Sequence, residues 1–237
     1  MPRRSRRPDI SIVIPARNEA ATIERALDSV LAQAWPLERL EVIVVDNGSH
    51  DQTAAVVRRF TRRHPELLVR LVREPRLGVS RARNRGAQYA RGEVLLFLDA
   101  DSRLAPTMVA SVLAHLHRGE SAVSLRVVAD STDPLDRAFF FAATWLKERV
   151  RVPTQLCAVH RDVFWAVGGF DERLRIAEDY DLLRRIRKAG YPVGFVTESV
   201  VLTSTRRLHR WPLRLGLLAT ALQWLLALAG IGRDWPY

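Results

Sequence analysis

Between residues 11 and 128 the chain repeats one unit: a short β-branched or leucine-rich run, then a longer amphipathic stretch of helix length. The short runs are residues 11–14, 41–45, 68–72, 94–98 and 122–128. The long ones are 20–34, 53–64, 80–90 and 106–116. A period near two alternating with a period near 3.6 is the pattern of a parallel sheet covered by helices, so the chain reads as α/β. In such a sheet ligands gather beyond the carboxyl ends of the strands, which makes the residues just after each apolar run the ones to inspect.

After residue 128 the rhythm loosens. A proline-initiated helix is expected over 134–150, a strand over 156–159, and helices over 161–167 and 180–189. No internal repeat or low-complexity linker appears. The clearest boundary is Trp211-Pro212, where a basic turn meets an uncharged run of 17 residues, 215–231, at the lower limit for crossing a bilayer. Gln223, Thr220 and Trp224 weaken the spanning reading. The expected organisation is a basic flexible arm (1–8), one domain (9–210, with halves 9–128 and 129–210) and an apolar or amphipathic tail helix (211–237). No secretory signal is expected, because the apolar stretch after the first arginines is too short.

Charge narrows the partners. There are 37 Lys+Arg against 26 Asp+Glu, a formal net of +11, and only Lys147 and Lys188 are lysines. Such a surface favours anions: nucleic acid, lipid headgroups or phosphorylated small molecules. The one cysteine, Cys157, excludes a disulfide framework and every multi-cysteine zinc site. Phosphate-loop, dinucleotide-fingerprint, serine-hydrolase-elbow and zinc-protease signatures are all missing.

Three strand ends carry polar clusters: Pro15, Ala16, Arg17, Asn18, Glu19; then Asp46, Asn47, Gly48, Ser49; then Asp99, Ala100, Asp101, Ser102. Two acids spaced by alanine at a strand end offer the hard oxygens that divalent cations take, or they are two solvated acids in a turn. Asp46 can accept from a base or a ribose hydroxyl, or cap the helix that follows. Glu178 and Asp179 open a helix where the dipole favours acids. If Asp179 faces the cleft, it can take a proton from a hydroxyl.

Taken together, Ser11-Ile12-Val13-Ile14-Pro15-Ala16-Arg17-Asn18-Glu19, Val44-Val45-Asp46-Asn47-Gly48-Ser49, Ala82-Arg83-Asn84-x-Gly86, Phe97-Leu98-Asp99-Ala100-Asp101, Gly168-Gly169-Phe170-Asp171-Glu172 and Glu178-Asp179-x-Asp181-Leu182 resemble the family 2 glycosyltransferases of the GT-A fold. The resemblance runs over about residues 9–210. It implies a single Rossmann-like, mostly parallel sheet flanked by helices, with a C-terminal apolar helix. It also implies inverting transfer of a sugar from a nucleotide-diphosphate-sugar donor to an acceptor hydroxyl, lipid-linked or on a small glycan.

The same resemblance implies roles. Pro15, Ala16, Arg17, Asn18, Glu19 and Asp46 would surround the nucleoside, with Arg83 near base or phosphates. Asp99, beside Ala100, would face ribose or a metal-bound water, and Asp101 would bind Mg²⁺ or Mn²⁺ directly. Asp179 would be the base, in a site shaped by Glu178. Arg207 would clamp the diphosphate and His209 would be a third metal ligand. The family's processive members carry a Q-x-x-R-W motif and several membrane helices, neither present here, so the implied enzyme adds one sugar at a time. Its tail would then be a peripheral helix on the cytoplasmic face of a membrane, or would close the domain's own core. Two other readings are a nucleotidyltransferase, which would release pyrophosphate, and a basic membrane- or nucleic-acid-binding module. The second leaves the acidic rim unexplained, so no nucleic-acid partner is expected.

Overall fold

A computed structural model describes residues 7–149, 156–174 and 176–206. The expectations for residues 1–6, for the 211–237 tail, and for Arg207 and His209 therefore lie outside the described residues. The elements are β1 (Ile10–Ala16), α1 (Ile23–Leu31), β2 (Leu40–Asp46), α2 (Thr53–Arg63), β3 (Leu68–Arg73), α3 (Val79–Tyr89), β4 (Val94–Phe97), β5 (Ser102–Leu104), α4 (Met108–His117), β6 (Ala122–Ala129), α5 (Pro134–Arg149), β7 (Cys157–His160), α6 (Arg161–Ala166), α7 (Glu178–Lys188) and β8 (Val193–Thr203). They build one eight-stranded sheet in the order β3-β2-β1-β4-β7-β6-β8-β5.

Alternation along the strands explains why helices cover both faces. Ile10, Ile12 and Ile14 of β1, Val42 and Val44 of β2, and Val94 and Leu96 of β4 pack with Ile23 and Leu27 of α1, Phe60 of α2 and Val112 of α4. Their neighbours Val13, Ile43, Val45, Leu95 and Phe97 point the other way, onto Ala82 of α3, Phe164 of α6 and Leu182, Leu183 and Ile186 of α7. α3 approaches the sheet closely enough that only glycine fits at Gly86. A Cβ there would lie 2.3 Å from Val13 Cγ1.

The α/β reading holds, with parallel pairing of β1 to β2 and β4, β2 to β3, and β6 to β8. Two features were not expected. β7 runs antiparallel to both its neighbours, and β5 and β8 close the far edge as an antiparallel pair. β8 is interrupted by a bulge: Leu125 faces Val196, but Val127 faces Val201. Beyond the bulge, residues 201–203 lie between the end of β6 and β5. That arrangement brings the chain leaving β8 against the chain leaving Asp101, where Ser204 N–H donates to the Asp101 carbonyl at 3.2 Å.

Candidate active site

β1 is hydrogen-bonded to β2 on one side and β4 on the other, all three parallel, so their carboxyl ends share one rim. The turn after β1 is tied to the turn after β2. Asn18, left-handed at φ 55°, a region asparagine tolerates, accepts from His50 N–H at 2.8 Å and donates its own N–H to Ser49 Oγ at 3.1 Å. Glu19 N–H donates to Thr53 Oγ1 at 2.8 Å, and Glu19 Oε2 accepts from Thr22 Oγ1 at 2.7 Å. Pro15 and Ala16 are the last residues of β1, and the Arg17 side chain is exposed.

Asp46 Oδ1 accepts from Ser49 N–H at 2.9 Å, so it closes its own turn rather than capping the next helix, with Gly48 at φ 75°. Asn47 secures the approach to α3. Its amide donates to the carbonyls of Glu74 and Arg76 at 2.9 and 2.8 Å, and its oxygen accepts from Gly78 N–H at 2.9 Å.

The centre of the rim is Arg83. Its side chain is 3% exposed and spans three carboxylates: Nη1 donates to Glu178 Oε1 at 2.8 Å and Asp179 Oδ1 at 3.2 Å, and Nη2 donates to Asp99 Oδ1 at 2.9 Å. Phe170 lies under the guanidinium, 5.3 Å from ring centre to Cζ. Arg83, expected beside base or phosphate, thus spends its donors inside the protein. One fixed cation against three acids leaves a negative surplus. Burial accordingly pushes Asp179 up to about 7; Arg83 opposes, while the charges of Glu178 and Asp99 add. The Cys157 thiol, fully buried beneath this cluster, is pushed well up by the same burial and by Asp179.

α7 presents its acids through a left-handed residue, Ala177 at φ 59°, which turns the chain into the helix just before Glu178. Deeper in the same helix Asp181 accepts from Arg185 Nε at 2.7 Å. Arg185 Nη2 in turn donates to the Gly169 carbonyl at 2.7 Å, pinning the Gly168-Gly169 turn. Asn84 holds that loop from α3 by a paired amide contact with Phe170, 2.9 Å in both directions.

Asp99 and Asp101 leave β4 on either side of Ala100, which is buried in the core. Asp99 has one oxygen on Arg83, and its side chain is one-third exposed. Asp101 is 7% exposed and faces the Arg206 guanidinium at 3.5 Å. Among the described residues no three His, Cys, Asp or Glu form a complete metal cage. Two carboxylates in a rim with surplus negative charge nonetheless fit a hard divalent ion whose remaining ligands are water and phosphate oxygens. Arg206, which the sequence reading passed over for Arg207 and His209, is the described member of that stretch, and it also bonds Glu19.

The comparisons with known proteins agree with this fold. The family model described as glycosyl transferase family 2 matches residues 11–166. Glycosyltransferase AglE of Haloferax volcanii is 31% identical over 208 residues, 81% of this chain and 66% of the relative. A validoxylamine A glucosyltransferase of Streptomyces hygroscopicus subsp. jinggangensis is 31% identical over 233 residues, 81% of this chain and 54% of the relative. The mannosyltransferase PcManGT of Pyrobaculum calidifontis, solved in complex with GDP-Man and Mn²⁺, superposes with a TM-score of 0.71 at 29% identity, covering 92% of this chain and 65% of that one. The chain therefore spans between about half and two thirds of these proteins.

Proposed function

The chain belongs to glycosyl transferase family 2, and on that premise we propose that it moves a sugar from a nucleotide-diphosphate donor to an acceptor hydroxyl with inversion at the anomeric carbon. The observation that carries this reading is the buried cluster in which Arg83 draws Asp99, Glu178 and Asp179 together at the carboxyl end of the sheet. A carboxylate pushed up to about 7 is matched to taking a proton from a hydroxyl near neutral pH. The solved mannosyltransferase, with its GDP-Man and Mn²⁺, supports the donor class and a metal.

In this reading residues 15–19 and Asp46 form the nucleoside side of the cleft. Their turns are tied to each other by hydrogen bonds, so they bind without large reordering. Asp101, with Asp99 facing ribose or a metal-bound water, would hold Mg²⁺ or Mn²⁺, which when bound offsets charge on the leaving diphosphate. Asp179 accepts the acceptor's proton as the hydroxyl oxygen bonds to the anomeric carbon. The carbon–phosphate-oxygen bond breaks on the opposite face, and its electron pair leaves with the nucleoside diphosphate. Arg83 is a positioning residue: it fixes the base and Asp99 in one frame. Glu178 shapes the site and helps to keep Asp179 basic.

The acceptor is a glycan hydroxyl, lipid-linked or small. Peripheral contact with a membrane's cytoplasmic face through residues 215–231 suits a lipid-linked acceptor, as do the exposed Leu135, Phe141 and Trp145 of α5 in the acceptor half. Among the described residues no helix is long and apolar enough to cross a membrane.

The test is product analysis with UDP-, GDP- and dTDP-sugars and Mn²⁺. Release of a nucleoside diphosphate is expected, with Asp179→Asn and Asp101→Asn reducing turnover by about 10²-fold or more. Pyrophosphate release would assign nucleotidyl transfer instead. A folded Asp179→Asn protein at full activity would remove the proposed base.

A further inference from the structure

We infer that Arg206 is a placeholder cation. Its guanidinium bridges Glu19 and Asp101 in the free protein and is exchanged for the divalent ion when the donor loads. The inference rests on the transferase reading and concerns how that site is kept and opened.

Its basis is the way the two acids are fixed while the arginine is not. Glu19 is a rigid post: its N–H is bonded to Thr53 Oγ1, and Oε2 takes the Thr22 hydroxyl, which leaves Oε1 for Arg206. Asp101 is held by its backbone, with its carbonyl accepting from Ser204 N–H, and its carboxylate is almost wholly withdrawn from water. Arg206 leaves β8 through a short turn in which its own N–H donates to Ser204 Oγ at 3.2 Å, and its side chain is 44% exposed. The Ser102–Thr203 hydroxyl pair, 2.8 Å apart, anchors that turn beside the acid. One nitrogen, Nη2, serves both carboxylates, with a hydrogen bond to Glu19 and a 3.5 Å ion pair to Asp101 Oδ2.

That is how a substitute cation should be built. It stands between two fixed acids at neighbouring strand ends, joining the β1 turn to the β4 end and offsetting part of their charge, yet its contact with Asp101 is an ion pair rather than a two-pronged fork. A divalent ion would take the carboxylate oxygen as a direct ligand, with twice the charge. Ion and guanidinium therefore repel each other at the same carboxylate, and by linkage each weakens the other's hold by the same factor. The donor's diphosphate reverses this, because it offers the displaced guanidinium a new anion close by. Arg206 thus makes the bare site a poor metal site and the donor-loaded site a good one, so that metal and donor arrive together.

The experiment is a Mn²⁺ titration followed by electron paramagnetic resonance of the free ion, on wild type, Arg206→Ala, Arg206→Lys and Asp101→Asn, alone and with UDP or GDP. Removing the guanidinium is expected to tighten Mn²⁺ binding to the nucleotide-free protein about five- to tenfold. The gain in Mn²⁺ affinity that the nucleotide brings to wild type should shrink by a matching factor. Arg206→Lys should stay near wild type, and Asp101→Asn should lose the site. Melting curves confirm that each variant is folded. If wild type binds Mn²⁺ with a nucleotide but Arg206→Ala binds it alone no tighter than wild type, or Arg206→Lys behaves as Arg206→Ala does, the placeholder role is refuted and the transferase reading stands. If no folded protein in the series binds Mn²⁺ with either nucleotide, both fall.

Discussion

Replacing Asp179 by asparagine should change how stability depends on pH, and the size of the change follows from the cluster itself. Burial pushes Asp179 from an ordinary 3.8 up to about 7 in the folded protein, against Arg83 and with Glu178 and Asp99 adding. Between those two values the folded chain holds a proton that the unfolded chain has released, so the native state binds more protons and loses stability as pH rises. Below about 4 both states are protonated, and above about 7 both are ionised, so the loss is confined to that window. At about 1.4 kcal/mol per unit, tapering as the folded group ionises near pH 7, the interval from pH 5 to pH 7 removes about 2 kcal/mol. Asparagine keeps an oxygen for Arg83 Nη1 but has no proton to lose, so that slope disappears.

The assay is urea unfolding of wild type and Asp179→Asn at half-unit intervals from pH 4.5 to 8.5, without metal or nucleotide. Titrating groups remote from this cluster are common to both proteins and cancel in the difference. The asparagine protein should gain on wild type by about 2 kcal/mol between pH 5 and pH 7 and run parallel to it from about pH 8. Turnover by wild type should rise over the same interval and level off above about 7, because the base must be ionised to work. Stability curves that stay parallel from pH 5 to pH 8 would refute the argument that this carboxyl holds a proton in the native state.

Arg83→Met leaves Asp99, Glu178 and Asp179 without their shared counter-ion, and a loss of about 3–5 kcal/mol in chemical denaturation is expected; a wild-type midpoint would mean that the pairing contributes nothing. Gly86→Ala sets a methyl 2.3 Å from Val13 Cγ1 and 3.1 Å from Val45 Cγ2, which should cost about 1–3 kcal/mol as α3 is pushed off β1 and β2. An unchanged melting temperature for that protein would contradict the close approach.

The first four strands and first four helices were readable because each strand is a clean apolar run ending in polar residues and each helix has an apolar face. The far edge was not. β5 is three residues long, below any periodic signal, and β8 is broken in mid-course over residues 197–200, where its register with β6 shifts. The acids of the rim announced themselves at strand ends, but their counter-ion did not, because eleven arginines fall between residues 58 and 91. One signal was available. Arg83 shares the buried side of α3 with Ala82, Gly86 and Ala87, and an arginine among such small residues is either paired or ruinous. For Arg206 nothing local distinguishes it from Arg207. Its position depends on the β5–β8 pairing that the periodicity conceals.

The two arginines of the rim divide the work by burial. Arg83 is 3% exposed, so breaking its contacts would strand desolvated charges on both sides, and it is a permanent part of the fold that joins α3 to α7 and to the end of β4. Arg206 is 44% exposed, so its guanidinium keeps water within reach, and in the proposed exchange the incoming ion takes over the withdrawn Asp101 carboxylate. Burial, with the charges of Glu178 and Asp99 adding, is what pushes Asp179 up to about 7, and because the permanent cation is outnumbered by its acids the rim has room for more positive charge. The removable one stands at Asp101 and Glu19, neither of which Arg83 holds. On the proposed reading, a cation exchanged there would alter the charge facing the donor without disturbing the Arg83 frame that holds Asp179.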